Sequence, residues 1–334
     1  MNDLDFSQVN TLVRIHEGRL IPSSVFQELL HAKSEADMKR AAENTQYGAY
    51  LAGKPILEDF MDAIERDIAE TYQWALSESP MSEIVMMLGI RRTYHNLKVL
   101  SKAKILGIQA DELWMEDGLY AIQTLSSAIE TAQSAVLPDR MLRAISDVLS
   151  GAIQGHDVQI VDIVYDRHYW HHVRELAQRS GYQAIEAFVQ KRIDLYNISV
   201  LIRAGQQKHG EAFLTSVLSS AGKISKADWI AKRSESPQEL TQELLKTSYR
   251  EEIEQAMDPD QKAVSAALLD VIGDDSLTKW LQQAKLAAFG PLPLVGFLYA
   301  KEMEWKNLHV ILKAKRSGLD GRMAEERLRK SYVA

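Results

Sequence analysis

After Pro55, apolar residues recur at Leu57, Phe60, Met61, Ile64, Ile68 and Tyr72, with charge between them as in Glu65-Arg66-Asp67. Steps of three and four place these residues on one face of a helix, and the period predicts one here. Pro55 suits its first position, where the N–H that proline lacks would have no partner. Pro22 with Ser23, Ser79 with Pro80, and Pro291 with Pro293 predict further helix starts. Alternating β-branched runs bounded by turn pairs are missing. The best strand candidate, residues 158–164 (VQIVDIV), reads equally well as an apolar link or as the start of a helix through Tyr165 and Trp170. The predicted fold class is all-α.

One pattern occurs three times, at intervals of roughly a hundred residues. It is YHNLKVLSKAK around Asn96, LYNISVLIRAG around Asn197 and WKNLHVILKAK around Asn307. The asparagine is followed at once by Leu97, Ile198 or Leu308, and three positions on by Val99, Val200 or Val310. Four positions on stand Leu100, Leu201 and Ile311, six on Lys102, Arg203 and Lys313, seven on Ala103, Ala204 and Ala314. Positions one, four and seven share a stripe, which predicts a buried face with room at the alanine for close approach. Gly107 and Gly318 then predict helix stops, with the cation in the last turn facing the negative end of the helix dipole. In the second copy Gly205 comes earlier and Gly210 later, so its end is less defined.

The repeat divides the chain into units 1–115, 116–222 and 223–334, each expected to be a small helical bundle around its repeat helix. Beside Leu or Ile in all three copies, the asparagines read as paired polar groups fixing register at a helix crossing, rather than as ligand contacts.

Composition narrows the function classes. The chain has 334 residues, 46% of them hydrophobic, enough for a substantial core. It has no cysteine, which excludes disulfides, thiolate metal sites and a cysteine nucleophile. A net charge of −7 argues against a nucleic-acid partner. The N-terminal MNDLDFSQVN is acidic and polar, unlike a signal peptide. The uncharged stretch 289–300 is interrupted by Gly290, Pro291, Pro293 and Gly296, and a bilayer span needs about 20 apolar residues, so no direct span is expected.

Candidate chemistry is sparse. Gly48-Ala49-Tyr50-Leu51-Ala52-Gly53-Lys54 fits half of a phosphate loop, but Pro55 stands where Ser or Thr would hold Mg²⁺, and no strand precedes it. The expected role is a loop between helices. His168 and His172 are four apart, as in a helical zinc pair, with His171 beside them. The zinc signature would need Glu where Tyr169 stands, and the aromatic neighbours point to packing instead. Glu251, Glu252, Glu254, Asp258 and Asp260 read as solvated helix faces. Nothing here predicts a catalytic residue or a cofactor.

The three repeats resemble the C subunit of the prokaryotic V-type (A/V-type) rotary ATPases, called the d subunit in eukaryotes. In FGPLPLVGFLYAKEMEWKNLHVILKAKRSGL the residues Glu302, Glu304, Asn307 and Leu308 fall in register with that family. RIDLYNISVLIRA matches at Asp194, Asn197, Ile198, Leu201, Arg203 and Ala204. RRTYHNLKVLSKAKILG matches at Asn96, Leu97 and Lys98, and LVRIHEGRLI resembles the opening helix. His309 departs, standing where the third unit of the family usually has Arg.

The resemblance covers essentially the whole chain. It implies three similar helical domains around a pseudo-threefold axis, forming a funnel. One side would receive the central stalk, built from the D and F subunits. The other would dock on the membrane rotor ring of proteolipid subunits, so the protein would sit peripherally on the cytoplasmic face of the membrane. It implies a non-catalytic coupling part. Lys313, Lys315 and Arg316 are the candidate polar contacts to those partners. The rivals are a free-standing helical scaffold, which would usually show many repeats of about 30 to 45 residues, and a helical enzyme with a metal at His168 and His172.

Overall fold

The computed structural model describes residues 2–51, 56–109, 113–115, 119–155, 158–318 and 321–333. The chain opens with α1 (Ser7–Glu17), α2 (Ser23–His31), α3 (Glu35–Glu43), α4 (Gly48–Leu51) and α5 (Ile56–Glu78). It continues through α6 (Ser82–Leu106), α7 (Ile122–Thr131), α8 (Asp139–Gly155), α9 (Gln159–Ser180) and α10 (Gln183–Gln206). Shorter helices follow: α11 (Glu211–Val217), α12 (Lys226–Ala231), α13 (Pro237–Leu245) and α14 (Arg250–Gln255). The last are α15 (Ala266–Gln282), α16 (Leu292–Ser317) and α17 (Gly321–Glu325). The fold is all-α, with one antiparallel pair of two-residue strands, Met257–Asp258 with Ala263–Val264.

Local signals fix many helix ends. α2 starts at Ser23 behind Pro22, and α16 starts at Leu292 between Pro291 and Pro293, as their prolines predict. α6 starts two residues past Pro80, at Ser82. Pro55 lies outside the described residues. Ser34, Ser225 and Ser265 accept bonds from the exposed N–H groups that open α3, α12 and α15. The strand candidate at 158–164 is the first part of α9: Val161 and Val164 are buried on a helix, where tertiary packing outweighs propensity.

The chain forms two compact units, Met1–Pro80 with Leu244–Ala334, and Met81–Glu243. In the first, α16 packs against α1, α2, α5, α15 and α17. Phe26, Leu29, Met38, Tyr47, Phe60, Ile64, Leu308 and Leu312 form its core. From Pro293 to Glu304 every residue of α16 is buried, the pattern of a helix surrounded by others. In the second unit α9 is central, packed by α6, α8, α10 and α11. Tyr94, Tyr165 and Tyr169 fill that core edge to face, and Ser101 bonds the Tyr165 hydroxyl at 2.8 Å. Burying each such ring is worth roughly 1.5–3 kcal/mol, and the hydroxyl bond removes the cost of burying its oxygen.

The acidic residues expected on solvated helix faces divide. Glu251 and Glu254 are exposed on α14, but Glu252 is buried and accepts from the Ser276 hydroxyl at 2.7 Å. Asp258 and Asp260 stand on the strand hairpin, where Asp258 Oδ1 accepts the Asp260 and Gln261 N–H groups at 2.9 and 3.1 Å. That bond within the turn is why a helix does not run through them.

Candidate functional site

Asn96, Asn197 and Asn307 lie on α6, α10 and α16 and are at most 1% exposed. Each carboxamide grips one residue of the segment beyond its helix in both directions. Asn96 donates to the Met115 carbonyl and accepts from its N–H, both at 2.8 Å. Asn197 holds Ser219 in the same way, at 2.9 and 2.8 Å, and Asn307 holds Arg329, also at 2.9 and 2.8 Å. The polar groups are thus paired, but with returning backbone rather than with a crossing helix.

The helix ends recur too. Eleven positions after each asparagine the backbone turns left-handed, at Gly107 (φ 65°), Lys208 (φ 57°) and Gly318 (φ 61°). The following N–H returns to the repeat alanine, Ile108 to Ala103 at 3.0 Å and His209 to Ala204 at 2.9 Å. This is a Schellman end, which satisfies carbonyls the helix leaves open. α10 therefore stops at neither Gly205 nor Gly210. Lys208 takes the turn that glycine takes in the other copies.

The repeat helices differ in their first halves. On α16, Lys301, Glu302 and Glu304 are 3 to 5% exposed. The Lys301 ammonium lies 2.5 Å from both Asp67 Oδ2 and Glu304 Oε1. The Tyr47 hydroxyl shares its one proton between Glu304 Oε1 at 2.9 Å and Asp67 Oδ2 at 3.1 Å, and the Gln46 amide reaches the same two atoms at 2.9 and 3.3 Å. The Ile21 N–H donates to Glu304 Oε2 at 2.7 Å. Burial opposes the charge on Lys301, but Glu304 and Asp67 raise its pKa above the ordinary lysine value. Burial and the same carboxylates push the Tyr47 hydroxyl well up, so it remains a donor.

Nearby, Asp274 of α15 receives Lys306 at 2.7 Å, Arg329 at 3.0 Å and the Tyr299 hydroxyl at 3.0 Å. Burial disfavours its charge, yet Lys306 and Arg329 outweigh that and hold its carboxyl at about 2.

Asp67, Gln46 and Lys301 of the cluster line a cleft of about 840 Å³ within the first unit. Asp67, Glu70 and Trp74 of α5 line it with His16, Arg19, Gln46, Tyr50, Phe297 and Lys301. The His16 and Trp74 rings are 4.1 Å apart, and Trp74 meets Phe297 edge-on at 5.9 Å. Burial, and then Arg19, lower the His16 pKa, so the ring is neutral near pH 7.

The sequence profile of the ATP synthase (C/AC39) subunit family matches residues 9–327. The chain belongs to that family. It is 32% identical over 329 residues to the C subunit of the V-type sodium ATPase of Enterococcus hirae, covering 98% of this chain and 99% of that one. The C subunit of the V-type ATP synthase of Thermus thermophilus is 26% identical, with 96% and 98% covered. The C subunit of the A-type ATP synthase of Methanocaldococcus jannaschii is 24% identical, with 93% and 82% covered. As a C/AC39 subunit, the chain is a structural part of a rotary ATPase and not a catalytic one.

In this C/AC39 subunit Lys313 and Arg316 are exposed at the end of α16. Lys315 is half-buried and donates to the Ala32 carbonyl at 2.5 Å, closing the C-terminal end of α2. The three histidines point to different partners. His168 meets Asp147 at 2.8 Å, His171 meets Ser220 at 3.3 Å, and His172 meets the Tyr94 hydroxyl at 3.3 Å. Among the described residues no three His, Cys, Asp or Glu side chains are placed to hold a metal. Gly53 and Lys54 of the partial phosphate loop lie outside the described residues. Among the described residues no helix is long and apolar enough to cross a membrane.

Sequence reasoning missed Lys301 and Asp67 as a pair. The available signal was a Lys-Glu-x-Glu run inside a helix with apolar residues on every side.

Proposed function

We propose that this chain is the rotor component that couples the central stalk, built from the D and F subunits, to the membrane ring of proteolipid subunits. It transmits rotation for ATP-driven proton or sodium transport, or for ATP synthesis, from the cytoplasmic face of the membrane, and hydrolyses nothing itself. The observation that carries this reading is the family match over residues 9–327, with relatives of nearly equal length named as the C subunit of V-type enzymes.

The recurring asparagine grip supports three related units at 1–115, 116–222 and 223–334, set around a pseudo-threefold axis as a funnel. That division follows the repeat and is distinct from the two packed units. Lys313, Lys315 and Arg316 are the polar contacts we assign to the partners. Lys315 acts from its place at the Ala32 carbonyl, while Lys313 and Arg316 reach outward.

The test is purification of the tagged chain from its own membranes in mild detergent, with mass identification of what accompanies it. Stalk subunits and a small proteolipid are expected, and Lys313→Glu with Arg316→Glu should release them at lower salt. Recovery alone, or with unrelated chains, sinks the coupling role and favours a free-standing scaffold.

A further inference from the structure

Asp67 is held from one side only. Lys301, Tyr47 and Gln46 all reach Oδ2, and no hydrogen bond reaches Oδ1 among the described residues. The carboxylate lines the cleft, and its side chain is 16% exposed. Three donors therefore fix its orientation while one oxygen is left to accept.

Charge points the same way. Lys301 serves two carboxylates, Asp67 and Glu304, so the cluster carries one net negative charge. Glu70 stands three residues beyond Asp67 on α5, one turn along the same face, and is exposed. Arg19 is the other cation of the lining. Trp74 continues the face as a half-buried aromatic wall, steadied by His16 and Phe297.

We propose that this cleft receives a basic side chain, arginine in preference to lysine, presented by a protein partner. Its guanidinium bonds Asp67 Oδ1 and Glu70, and its plane lies against Trp74. A guanidinium is planar, weakly hydrated and able to stack on an aromatic face while bonding carboxylates. A divalent cation is disfavoured, because it needs several oxygen ligands and would sit beside the Lys301 ammonium. An anion finds Lys301 already engaged, and Arg19 alone would have to offset Asp67 and Glu70 of the same lining. The identity of the partner rests on the rotary-ATPase reading. The chemistry of the cleft does not.

The test uses the full chain with its indole nitrogens labelled with ¹⁵N, titrated with Nα-acetyl-arginine amide and with its neutral analogue Nα-acetyl-citrulline amide. The Trp74 indole signal, assigned by Trp74→Phe, should shift saturably with the arginine compound and not with the citrulline one. Glu70→Gln should weaken that binding about tenfold, as loss of one charged hydrogen-bond partner does. Asp67→Asn should abolish it. Glu70 is exposed, so its variant keeps the fold if Asp67→Asn does not. A Trp74 signal that stays still, or moves equally with citrulline, overturns the proposal, as does a folded Glu70→Gln variant that titrates like the parent. If stalk and ring subunits co-purify while the titration is flat, the cleft proposal fails alone. If the titration succeeds and they do not co-purify, the rotary role fails and the cleft stands.

Discussion

α6 and α16 end alike and begin differently. Both carry the asparagine that grips a returning segment, and both stop in a left-handed glycine eleven positions later. Six positions before the asparagine, α6 has Ile90 at 0% exposure and α16 has Lys301 at 3%. Three before it, α6 has buried Thr93 where α16 has Glu304. Around the first half of α6 the neighbours are tyrosines, whereas around that of α16 they are Asp67, Tyr47 and Gln46. The shared end does what every copy needs, which is to close a helix and anchor the chain leaving it. The first half is free to diverge, and in α16 it has become part of the charged lining of a cleft.

Removing the Lys301 ammonium is the most severe way to break that contrast. Lys301→Met leaves Asp67 and Glu304 facing each other in a buried site, and should cost about 3–5 kcal/mol. Urea unfolding at pH 7 measures it. The loss should shrink as pH falls and one carboxylate takes a proton. Ile90→Val in α6, a small cavity, should cost only about 0.5–1.5 kcal/mol and show no such pH dependence.

Acid should separate the two regions. Burial lowers the His172 pKa to about 4. Its folded value lies below its unfolded one, so the fold binds fewer protons. Stability from this residue is present above about 6.5 and is lost as pH falls toward 4, by about 3 kcal/mol in total. The Asp274 carboxyl, at about 2, is also depressed. Its contribution, about 2 kcal/mol, is present above the unfolded value near 4 and is lost only below it. Thermal midpoints across pH 2–8 should show the His172 loss flattened by His172→Gln and the lower one by Asp274→Asn. A single transition unaffected by either variant would contradict the assignment.

The asparagine grips should rank by burial. Both bonds of Asn197 are buried, whereas those of Asn96 and Asn307 are partly so. Asn197→Ala should cost about 2–3 kcal/mol, and the other two less, by the same unfolding measurement. The smallest effect is a gain. Lys208→Gly relieves a left-handed lysine and should add about 0.5–1 kcal/mol, while Gly107→Ala should lose a similar amount.

What could be read in advance was what is local. Period, the proline starts at Pro22 and Pro291, and the Gly107 and Gly318 stops depend on residues within a turn or two, and these describe real helix ends. The Lys208 turn was hidden because lysine carries no preference for that conformation, and only its register with the two glycines reveals it. The partners of the asparagines were hidden for another reason: they are backbone atoms, which any sequence supplies. Asp67 and Lys301 meet only because α5 and α16 pack together, and no spacing along the chain announces that.

Because each asparagine holds only main-chain atoms, the residue it holds is free to change, and Met115, Ser219 and Arg329 share no chemistry. The chain between helix end and anchor is in effect a handle with both feet fixed. In the second copy it contains α11 and in the third α17. Between the feet, α11 and α17 pack back onto the body through buried Leu214 and Ala324, so the outward positions of each handle are free to vary and the inward ones are not. The exposed positions of these handles, such as Ala212 and Met323, are the natural places to graft a tag, a fluorophore or a tether without loosening the helices beneath.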